Sequence, residues 1–350
     1  MPKLALVMIA RNEGHCIERC LRSVAQFVDE MIVMDTGSTD DTVSVAARSG
    51  AEVHHFAWQD DFSAARNAAL DCSRAAWNLI LDADEWIEGG AEQLQASILG
   101  DRPFIGLVPI ASYFDLHGRV ESSISWIPRI LPGNVRYQGR VHEQPVSDLK
   151  RLHVQLRIGH DGYRLGKLRQ KQGRNKNLLL RELQENPFDA YLQYQLGKDY
   201  EVYEDYGNAV LHFMEALRLS HADEAFRHDL VVRTIFSLKQ ANQHEQAIQL
   251  AEQEFANWQN SPDFFFCLAD LMLDWAVLNP ADAMKDLLPI VESSWKKCLE
   301  IGEQPFLSGS VKGRGSYLAA KNLAVMYENL GNPSQAAEYR RMADAMRSKV

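Results

Sequence analysis

The sequence predicts an α/β domain with a doubly wound sheet, followed by an all-α domain of helical repeats. In the first hundred residues, short apolar runs alternate with segments of helical periodicity, the order of a parallel sheet with crossover helices. From about residue 170 the strand-like runs stop and helical periodicity continues to residue 350. A chain of 350 residues suffices for two domains of about 100–200 residues each. We therefore expect domains at 1–168 and 169–350.

Four apolar runs predict the parallel strands. Leu4–Ala10 is apolar throughout, as expected of a strand buried on both faces of a sheet. Residues 31–34, 51–56 and 78–81 predict the second, third and fourth strands.

Three helices are predicted between these strands. Ser38 and Asp41 have capping-box spacing and predict the start of the second helix, which stops at Gly50. Phe62–Cys72 predicts the third. The first helix has an apolar face that consists of Ile17, Cys20, Leu21, Val24 and Val28.

Acidic residues follow two of the predicted strands. Asp35 follows residues 31–34, and Asp82-Ala83-Asp84 follows residues 78–81. Ligands of doubly wound sheets bind at the carboxyl ends of the strands, so one crevice could hold all of these side chains. Mg²⁺ and Mn²⁺ prefer oxygen ligands and are commonly held by one or two carboxylates plus substrate phosphates. The D-x-D pattern therefore predicts a metal and diphosphate site, with a solvated turn as the alternative.

Asp35 and Arg66 are candidate nucleotide contacts. The carboxylate of Asp35 can accept hydrogen bonds from a nucleobase imide or a ribose hydroxyl, and an Asx turn at that position is compatible with this role. Arg66 lies early on the helix before the D-x-D strand, where its guanidinium could neutralise a diphosphate. An exposed helical arginine without such a role is the alternative.

Residues 190–223 match the template of a tetratricopeptide repeat, whose period is about 34 residues. A second match begins at residue 317, a weaker one covers 229–255, and the stretch 275–295 is helical but irregular. A plain helical bundle is the alternative. Repeat arrays leave a concave surface for partners, for which Tyr191, Tyr194, Tyr203 and Tyr206 are candidate aromatic groups. The template positions of the first repeat are Leu196, Gly197, Tyr200, Ala209, Phe213 and Ala216.

Four segments together resemble the family 2 glycosyltransferases with the GT-A fold: VMIARNEG, VMDTGSTDDT, DDFSAARNAAL and LILDADEW. They occur in the order and spacing of that family and cover roughly the first 90 residues. A weaker resemblance continues through WIPRILPGNVRYQGRVHEQ and IGHDGY to the repeats. This layout is similar to a bacterial branch that includes peptide S-glycosyltransferases and lipopolysaccharide-core glucosyltransferases.

The resemblance implies a set of donor-binding residues. The segment Ala10–Glu13, through Ala10, Asn12 and Glu13, and Asp35 would contact the nucleoside. Arg66 matches a donor-binding arginine, and Asp82, Ala83 and Asp84 match the metal and diphosphate motif. A histidine far downstream often completes the metal site in GT-A enzymes, and His160 occupies such a position.

An inverting sugar transfer needs a base near the acceptor nucleophile, usually a carboxylate. Glu143 in GRVHEQ is the candidate, with Asp115 and Glu121 as alternatives. His142 is a further candidate contact and could also ligate a metal. Trp86 and Trp126 are candidates for an aromatic wall beside the sugar or acceptor, with core packing as the alternative.

Composition restricts the class of partner and the compartment. The net charge of −10 disfavours binding to nucleic acid. No apolar run approaches the roughly 18 residues that span a bilayer. The N-terminal segment is expected to be a buried strand, since it lacks the small-residue cleavage site of a signal peptide. Five cysteines without a C-x-x-C pair favour a reducing cytoplasm. Cys16 and Cys20, four residues apart, are interpreted as core residues rather than metal ligands.

The expected function is an inverting transfer of a sugar from a nucleoside diphosphate, most often UDP in this family, with Mn²⁺ or Mg²⁺ as cofactor. The acceptor is predicted to be a peptide or protein, with lipopolysaccharide or another surface glycan as the alternative. The repeats could instead form a homodimer. A nucleotidyltransferase is disfavoured because ARNEGHC lacks a glycine-rich phosphate loop. A non-catalytic repeat scaffold with a relic nucleotide-binding domain is the alternative from another class.

Overall fold

The computed structural model describes residues 3–94, 102–116, 119–161 and 174–348. The chain forms two compact units, Met1–Glu185 and Asn186–Val350. The unit boundary thus lies 17 residues beyond the one expected at 168/169. The reason is the helix Arg174–Glu185, which belongs to the first unit because two of its carboxylates bind Arg140. Glu182 accepts from the Arg140 backbone N–H at 3.2 Å, and Glu185 accepts from its guanidinium at 3.0 Å.

The secondary structure of the first unit follows the predicted alternation up to residue 80. Its helices are α1 (Ile17–Val24), α2 (Thr42–Arg48), α3 (Phe62–Cys72) and α4 (Arg174–Glu185). Its strands are β1 (Leu4–Ala10), β2 (Glu30–Asp35), β3 (Glu52–His55), β4 (Trp77–Ile80), β5 (Glu85–Gly89), β6 (Ile105–Leu116), β7 (Arg119–Pro132), β8 (Arg136–Gln138), β9 (Gln144–Val146), β10 (Arg151–His153) and β11 (Arg157–His160).

The first four strands form a parallel sheet in the order β3-β2-β1-β4. Leu4, Leu6 and Met8 pack in one core with α1 and α2, while Ala5 and Val7 pack in a second core with α3. Helices therefore cover both faces of β1, and the prediction of a doubly wound sheet is confirmed. The predicted apolar face of α1 is buried through Val24, where the helix ends, so Val28 lies beyond it.

Antiparallel strands extend this sheet beyond what the sequence patterns predicted. β7 pairs antiparallel with β4, β6 with β7, and β5 with β11, while β11 runs parallel to β6. The resulting order is β3-β2-β1-β4-β7-β6-β11-β5, with β10 paired to β6. The chain leaves β4 at Ile80 and re-enters the sheet in β5 at Glu85. The D-x-D segment is the link between these two distant strands.

A β-bulge in β7 places a charged residue beside that link. Gly106 pairs with Ile130 and Leu107 pairs with Pro128, which leaves Arg129 as the extra residue. Bulges locally redirect side chains and often occur next to active sites. The Arg129 side chain is buried and reaches Asp82.

The second unit consists of consecutive helices that pack as pairs: α5 (Ala190–Val202) with α6 (Tyr206–Leu219), α7 (Arg227–Gln240) with α8 (His244–Glu254), and α11 (Tyr317–Asn329) with α12 (Pro333–Arg347). The turn inside each pair contains one left-handed residue, Glu204, Asn242 and Gly331 respectively. This recurrence supports the predicted tetratricopeptide organisation. Gly197 of α5 lies against Phe213 of α6, since a Cβ at Gly197 would be 2.4 Å from that ring.

The irregular stretch lies between the second and third pairs. It contains α9 (Pro262–Leu278), the short helical segments Pro280–Asp282 and Ala283–Leu287, and α10 (Leu288–Ile301). In the described part of the chain no single helix meets the length and composition of a membrane span, although Pro262–Leu278 and Pro280–Ile301 do so as a pair bent by 112°.

Of the four candidate tyrosines, Tyr194 is a core residue whose hydroxyl donates to Asp229.

Candidate functional site

The carboxyl ends of three parallel strands lie side by side in the first unit. Ala10 pairs with Asp35, and Asp35 pairs with His55. The Asp35 carboxylate is buried and accepts hydrogen bonds from the backbone N–H groups of Gly37 at 3.1 Å and Ser38 at 3.2 Å. This is the Asx turn considered from the sequence. His55 Nδ1 lies 3.4 Å from the same carboxylate, so Asp35 combines a fixed orientation with an exposed histidine neighbour.

The loops after β1 and β2 are tied together. Asn12 has a left-handed backbone (φ 56°), and its N–H donates to Ser38 Oγ at 3.0 Å. The amide oxygen of Asn12 accepts from the Thr39 N–H at 2.8 Å. The predicted capping box of Ser38 and Asp41 is wrong, because Ser38 is engaged by Asn12 and α2 begins only at Thr42. Asp40 instead accepts from the Thr42 N–H at 3.0 Å.

A buried ionic network underlies the D-x-D segment. Arg66 donates from Nη2 to Asp82 at 2.8 Å and from Nε to Glu143. Arg129 donates from Nη2 to the other Asp82 oxygen at 2.9 Å and to Glu85. Both arginines are largely buried, whereas 36% of the Asp82 side chain is exposed. The network therefore brings together Arg66, Asp82 and Glu143, three of the residues predicted from sequence.

The charges in this network shift the ionisation of its carboxylates. Burial acts to raise the pKa of Asp82, but the guanidiniums of Arg66 and Arg129 outweigh it and hold that pKa well below its usual range. Burial raises the pKa of Glu85 despite the opposing effect of Arg129. Burial also raises the pKa of the Tyr137 hydroxyl to about 12. Asp82 thus stays ionised, as a partner of two fixed cations.

Asp84 and His160 meet on the other side of the D-x-D segment. His160 in β11 pairs with Glu85 in β5, which places its Nε2 3.5 Å from Asp84 Oδ2. Ser112 Oγ lies 3.2 Å from His160 Nδ1 and holds the ring so that Nε2 faces the carboxylate. Asp84 is buried and His160 is half-buried.

This donor pair fits a divalent cation. A carboxylate oxygen and an imidazole nitrogen that ligate one ion of this kind, at about 2.0–2.2 Å each, lie roughly 3 Å apart, close to the 3.5 Å observed. Two protein ligands leave further positions for water and phosphate oxygens. Asp84 and His160 are therefore the residues that would hold Mn²⁺ or Mg²⁺.

The remaining predicted residues have different surroundings. The Trp86 ring stacks on Tyr113 and lies under the Arg19 guanidinium, 4.0 Å from the ring centroid, so it already has intramolecular partners. Trp126 packs on His153, with the ring centroids 4.3 Å apart. His142 has a left-handed backbone (φ 52°) next to Glu143. Ala83 is buried. The side chains of Asp115 and Glu121 lie outside the described residues.

Sequence reasoning missed Arg129 and Glu85. Arg129 is the one charged residue in the run Trp126–Leu131, and a charge inside an apolar strand is the signal that could have found it. Glu85 directly follows the D-x-D pattern, where a third carboxylate needs a cation partner. The bulge that brings Arg129 to both acids is not visible in the sequence.

An α/β domain with a D-x-D pair beside a histidine, at the carboxyl edge of its parallel strands, has the architecture of a GT-A glycosyltransferase. Residues 5–146 match the family model described as Glycosyl transferase family 2. This part of the chain is a family 2 glycosyltransferase domain.

Three curated proteins illustrate what this chain is similar to. A TPR repeat-containing protein of Synechococcus elongatus is 35% identical over 56% of this chain and 52% of its own length. The SPbeta prophage-derived glycosyltransferase SunS of Bacillus subtilis is 31% identical over 53% of this chain and 47% of its own length. The chain thus spans about half the length of these relatives. An uncharacterized glycosyltransferase of Rickettsia felis is 39% identical over 24% of this chain and 30% of its own length.

Two solved structures show weaker similarity. MamA from Desulfovibrio magneticus is 16% identical, with a TM-score of 0.39, and covers 53% of this chain and 88% of its own. Glucosyl-3-phosphoglycerate synthase from Mycobacterium tuberculosis, in complex with Mn²⁺, UDP and glucosyl-3-phosphoglycerate, is 23% identical with a TM-score of 0.26. It covers 33% of this chain and 44% of its own.

Proposed function

We propose that the chain is a metal-dependent, inverting glycosyltransferase that uses a nucleoside diphosphate sugar, with a UDP-sugar as the first candidate. The main evidence for this proposal is the difference between the contacts of the two aspartates in the D-x-D segment. Asp82 is fixed between two guanidiniums, while Asp84 faces His160 at 3.5 Å. The two aspartates of one short motif therefore have separate partners, which supports the proposal of separate roles.

The proposed donor site extends along the strand ends. Asp35 would accept a hydrogen bond from the imide N–H of a uracil or from a ribose hydroxyl, with Asn12 and Glu13 bordering the nucleoside. Arg66 would supply positive charge near the diphosphate, and Asp82 would keep the guanidinium in place. In an acidic protein these local cations offset the repulsion that an anionic donor would otherwise meet.

A cation held by Asp84 and His160 would neutralise charge on the leaving diphosphate. His160 would contribute an imidazole nitrogen to that site, and its ring lies beside Ser112, with Oγ 3.2 Å from Nδ1. Asp84, which is 5% exposed, contributes a carboxylate that little water can reach.

Glu143 is the proposed base that takes the acceptor proton. Its Oε1 accepts from Arg66 Nε, so Oε2 is the atom that would receive the proton. The left-handed backbone of His142 places strain next to this residue, as is common at functional sites. A single displacement with one base and no covalent glycosyl-enzyme inverts the anomeric carbon.

The second unit is proposed to recruit the acceptor, for which a peptide or protein is the first candidate. Tetratricopeptide arrays bury their cores by stacking and leave one surface for recognition. The repeats of this chain are supported by the recurring left-handed turn residue in three helix pairs.

The D-x-D assignment is tested with Asp84→Asn. Donor hydrolysis is measured with Mn²⁺ and a panel of UDP-, GDP- and dTDP-sugars. Because the variant removes a metal-binding charge, we expect turnover to fall about a hundredfold or more. Asp71→Asn is the matched control, since Asp71 forms an exposed ion pair with Arg136, and it should retain full turnover. Undiminished turnover of the unmodified protein in EDTA would contradict the metal assignment.

The base assignment is tested with Glu143→Gln. This change should preserve donor binding, measured by calorimetry, and abolish transfer to the acceptor. An active variant would mean that another group is the base. Retention of anomeric configuration, read from the product by NMR, would refute the single-displacement mechanism.

A further inference from the structure

A second group of metal-ligating side chains lies in the turn between β1 and α1. Ligand atoms of Glu13, His15 and Cys16 all lie within 4.8 Å of one another. Cys16 Sγ is 3.1 Å from Glu13 Oε2. Cys16 is buried, Glu13 is half-buried and His15 is exposed. The three residues thus present sulfur, oxygen and nitrogen toward one small volume that solvent can reach from the His15 side.

The backbone that carries these ligands is held on both sides. The Glu13 N–H donates to Thr42 Oγ1 at 2.8 Å, and the Gly14 N–H donates to Asp40 Oδ2 at 3.1 Å. The carbonyl of Glu13 accepts from the N–H groups of Cys16 at 3.0 Å and of Ile17 at 2.9 Å. The turn is therefore fixed before any ion binds, which reduces the entropy cost of binding.

The charges around the turn favour a cation. A Cβ built on Gly14 would lie 2.0 Å from Asp41 Oδ1 and 3.1 Å from Asp40 Oδ2, so two carboxylates besides Glu13 crowd this backbone. Clustered carboxylates raise the local concentration of cations.

We propose that Glu13, His15 and Cys16 bind Zn²⁺, with water as the fourth ligand. Cys16 is buried, as its interpretation as a core residue expected, but in this proposal it is also a metal ligand. Zn²⁺ accepts thiolate, imidazole and carboxylate in tetrahedral sites, whereas Mg²⁺ and Mn²⁺ prefer oxygen-rich sites. Binding forms a Zn–S bond and releases the thiol proton to solvent. Ligand atoms in such a site lie about 3.3–3.8 Å apart, so rotation of the exposed His15 side chain would close the site. This zinc site is separate from the Asp84–His160 pair and does not rest on the proposed transferase activity. It shares Glu13 with the loop that is proposed to border the nucleoside.

The test is titration of the reduced full-length chain with Co²⁺, followed by displacement with Zn²⁺. Cobalt bound to a thiolate gives a ligand-to-metal charge-transfer band in the near ultraviolet. We expect this band at one equivalent of Co²⁺ and its loss on addition of one equivalent of Zn²⁺. Asp84→Asn should show the same band, because Asp84 belongs to the other site.

Two variants identify the ligands. Cys16→Ser should abolish the band, while Cys72→Ser, a control thiol on α3, should leave it unchanged. His15→Gln changes an exposed side chain and should weaken Zn²⁺ binding tenfold or more without unfolding the protein. Absence of the band in the unmodified chain, its persistence in Cys16→Ser, or unchanged affinity in His15→Gln would each overturn the proposal.

Discussion

At the scale of single residues, Arg66 and Arg129 determine the charge state of the D-x-D segment and the burial of the carboxylate beside it. Asp82 is ionised because two guanidiniums face it, and Glu85 is buried because Arg129 pairs with it. Removing one partner of a buried ion pair leaves the other charge uncompensated. Arg129 therefore belongs to the structural support of the site, although it was not among the site residues predicted from the sequence.

Replacing Arg129 with methionine tests this support. The change keeps the volume of the side chain but leaves Asp82 with one cation and Glu85 with none. We expect a loss of stability of about 3–5 kcal/mol, visible in calorimetry as an earlier unfolding transition. Arg22→Met is the control, because the Arg22–Glu18 pair is exposed and such pairs contribute about 0–1 kcal/mol. Equal melting temperatures of the two variants would show that the buried network does not stabilise the fold.

At the scale of elements, helix packing in the repeats depends on small residues at close contacts. Gly197 of α5 contacts the Phe213 ring of α6, while nothing lies within 4 Å of a Cβ at Gly207 near the start of α6. The sequence template names both Gly197 and Phe213, and the structure explains why they occur together. A methyl group at Gly197 would have to displace an aromatic ring in a fully buried position.

Alanine substitutions at these two glycines should have opposite effects. Gly197→Ala overpacks the α5–α6 contact, at a cost of about 1–3 kcal/mol, which outweighs the gain in helix propensity of up to about 1 kcal/mol. Gly207→Ala retains the propensity gain without a clash and should be neutral or stabilising. The two are compared by denaturant unfolding of the second unit. A stabilising Gly197→Ala would contradict the close packing.

At the scale of the whole molecule, the two units meet in sequence at Glu185 and Asn186. The helix α4 lies before this boundary and binds Arg140, three residues before Glu143 in the chain. Truncation at residue 168 therefore removes part of the first unit, whereas truncation at residue 185 does not.

A pair of truncated chains separates the roles of the two units. The chain 1–185 should fold and hydrolyse the donor but lose transfer to the natural acceptor, because the proposed recruiting surface is absent. The chain 1–168 lacks the α4 carboxylates and should melt at a lower temperature than 1–185. Full transfer to the acceptor by the chain 1–185 would refute recruitment by the repeats. Equal melting temperatures of the chains 1–168 and 1–185 would refute the structural role of α4.

The sequence by itself determined the order of β1 to β4, the doubly wound arrangement, the D-x-D position and the repeat pattern. These features depend on local periodicity and on the rule that parallel strands end at one edge, both of which a single sequence shows. The pairing of His160 with Glu85, the bulge at Arg129 and the assignment of α4 were decided only by the tertiary structure. Each depends on contacts between residues distant in the chain, such as Arg129 and Asp82 across 47 positions. Periodicity does not encode which distant charges meet, because that is set by strand register and by the cost of leaving a buried charge unpaired.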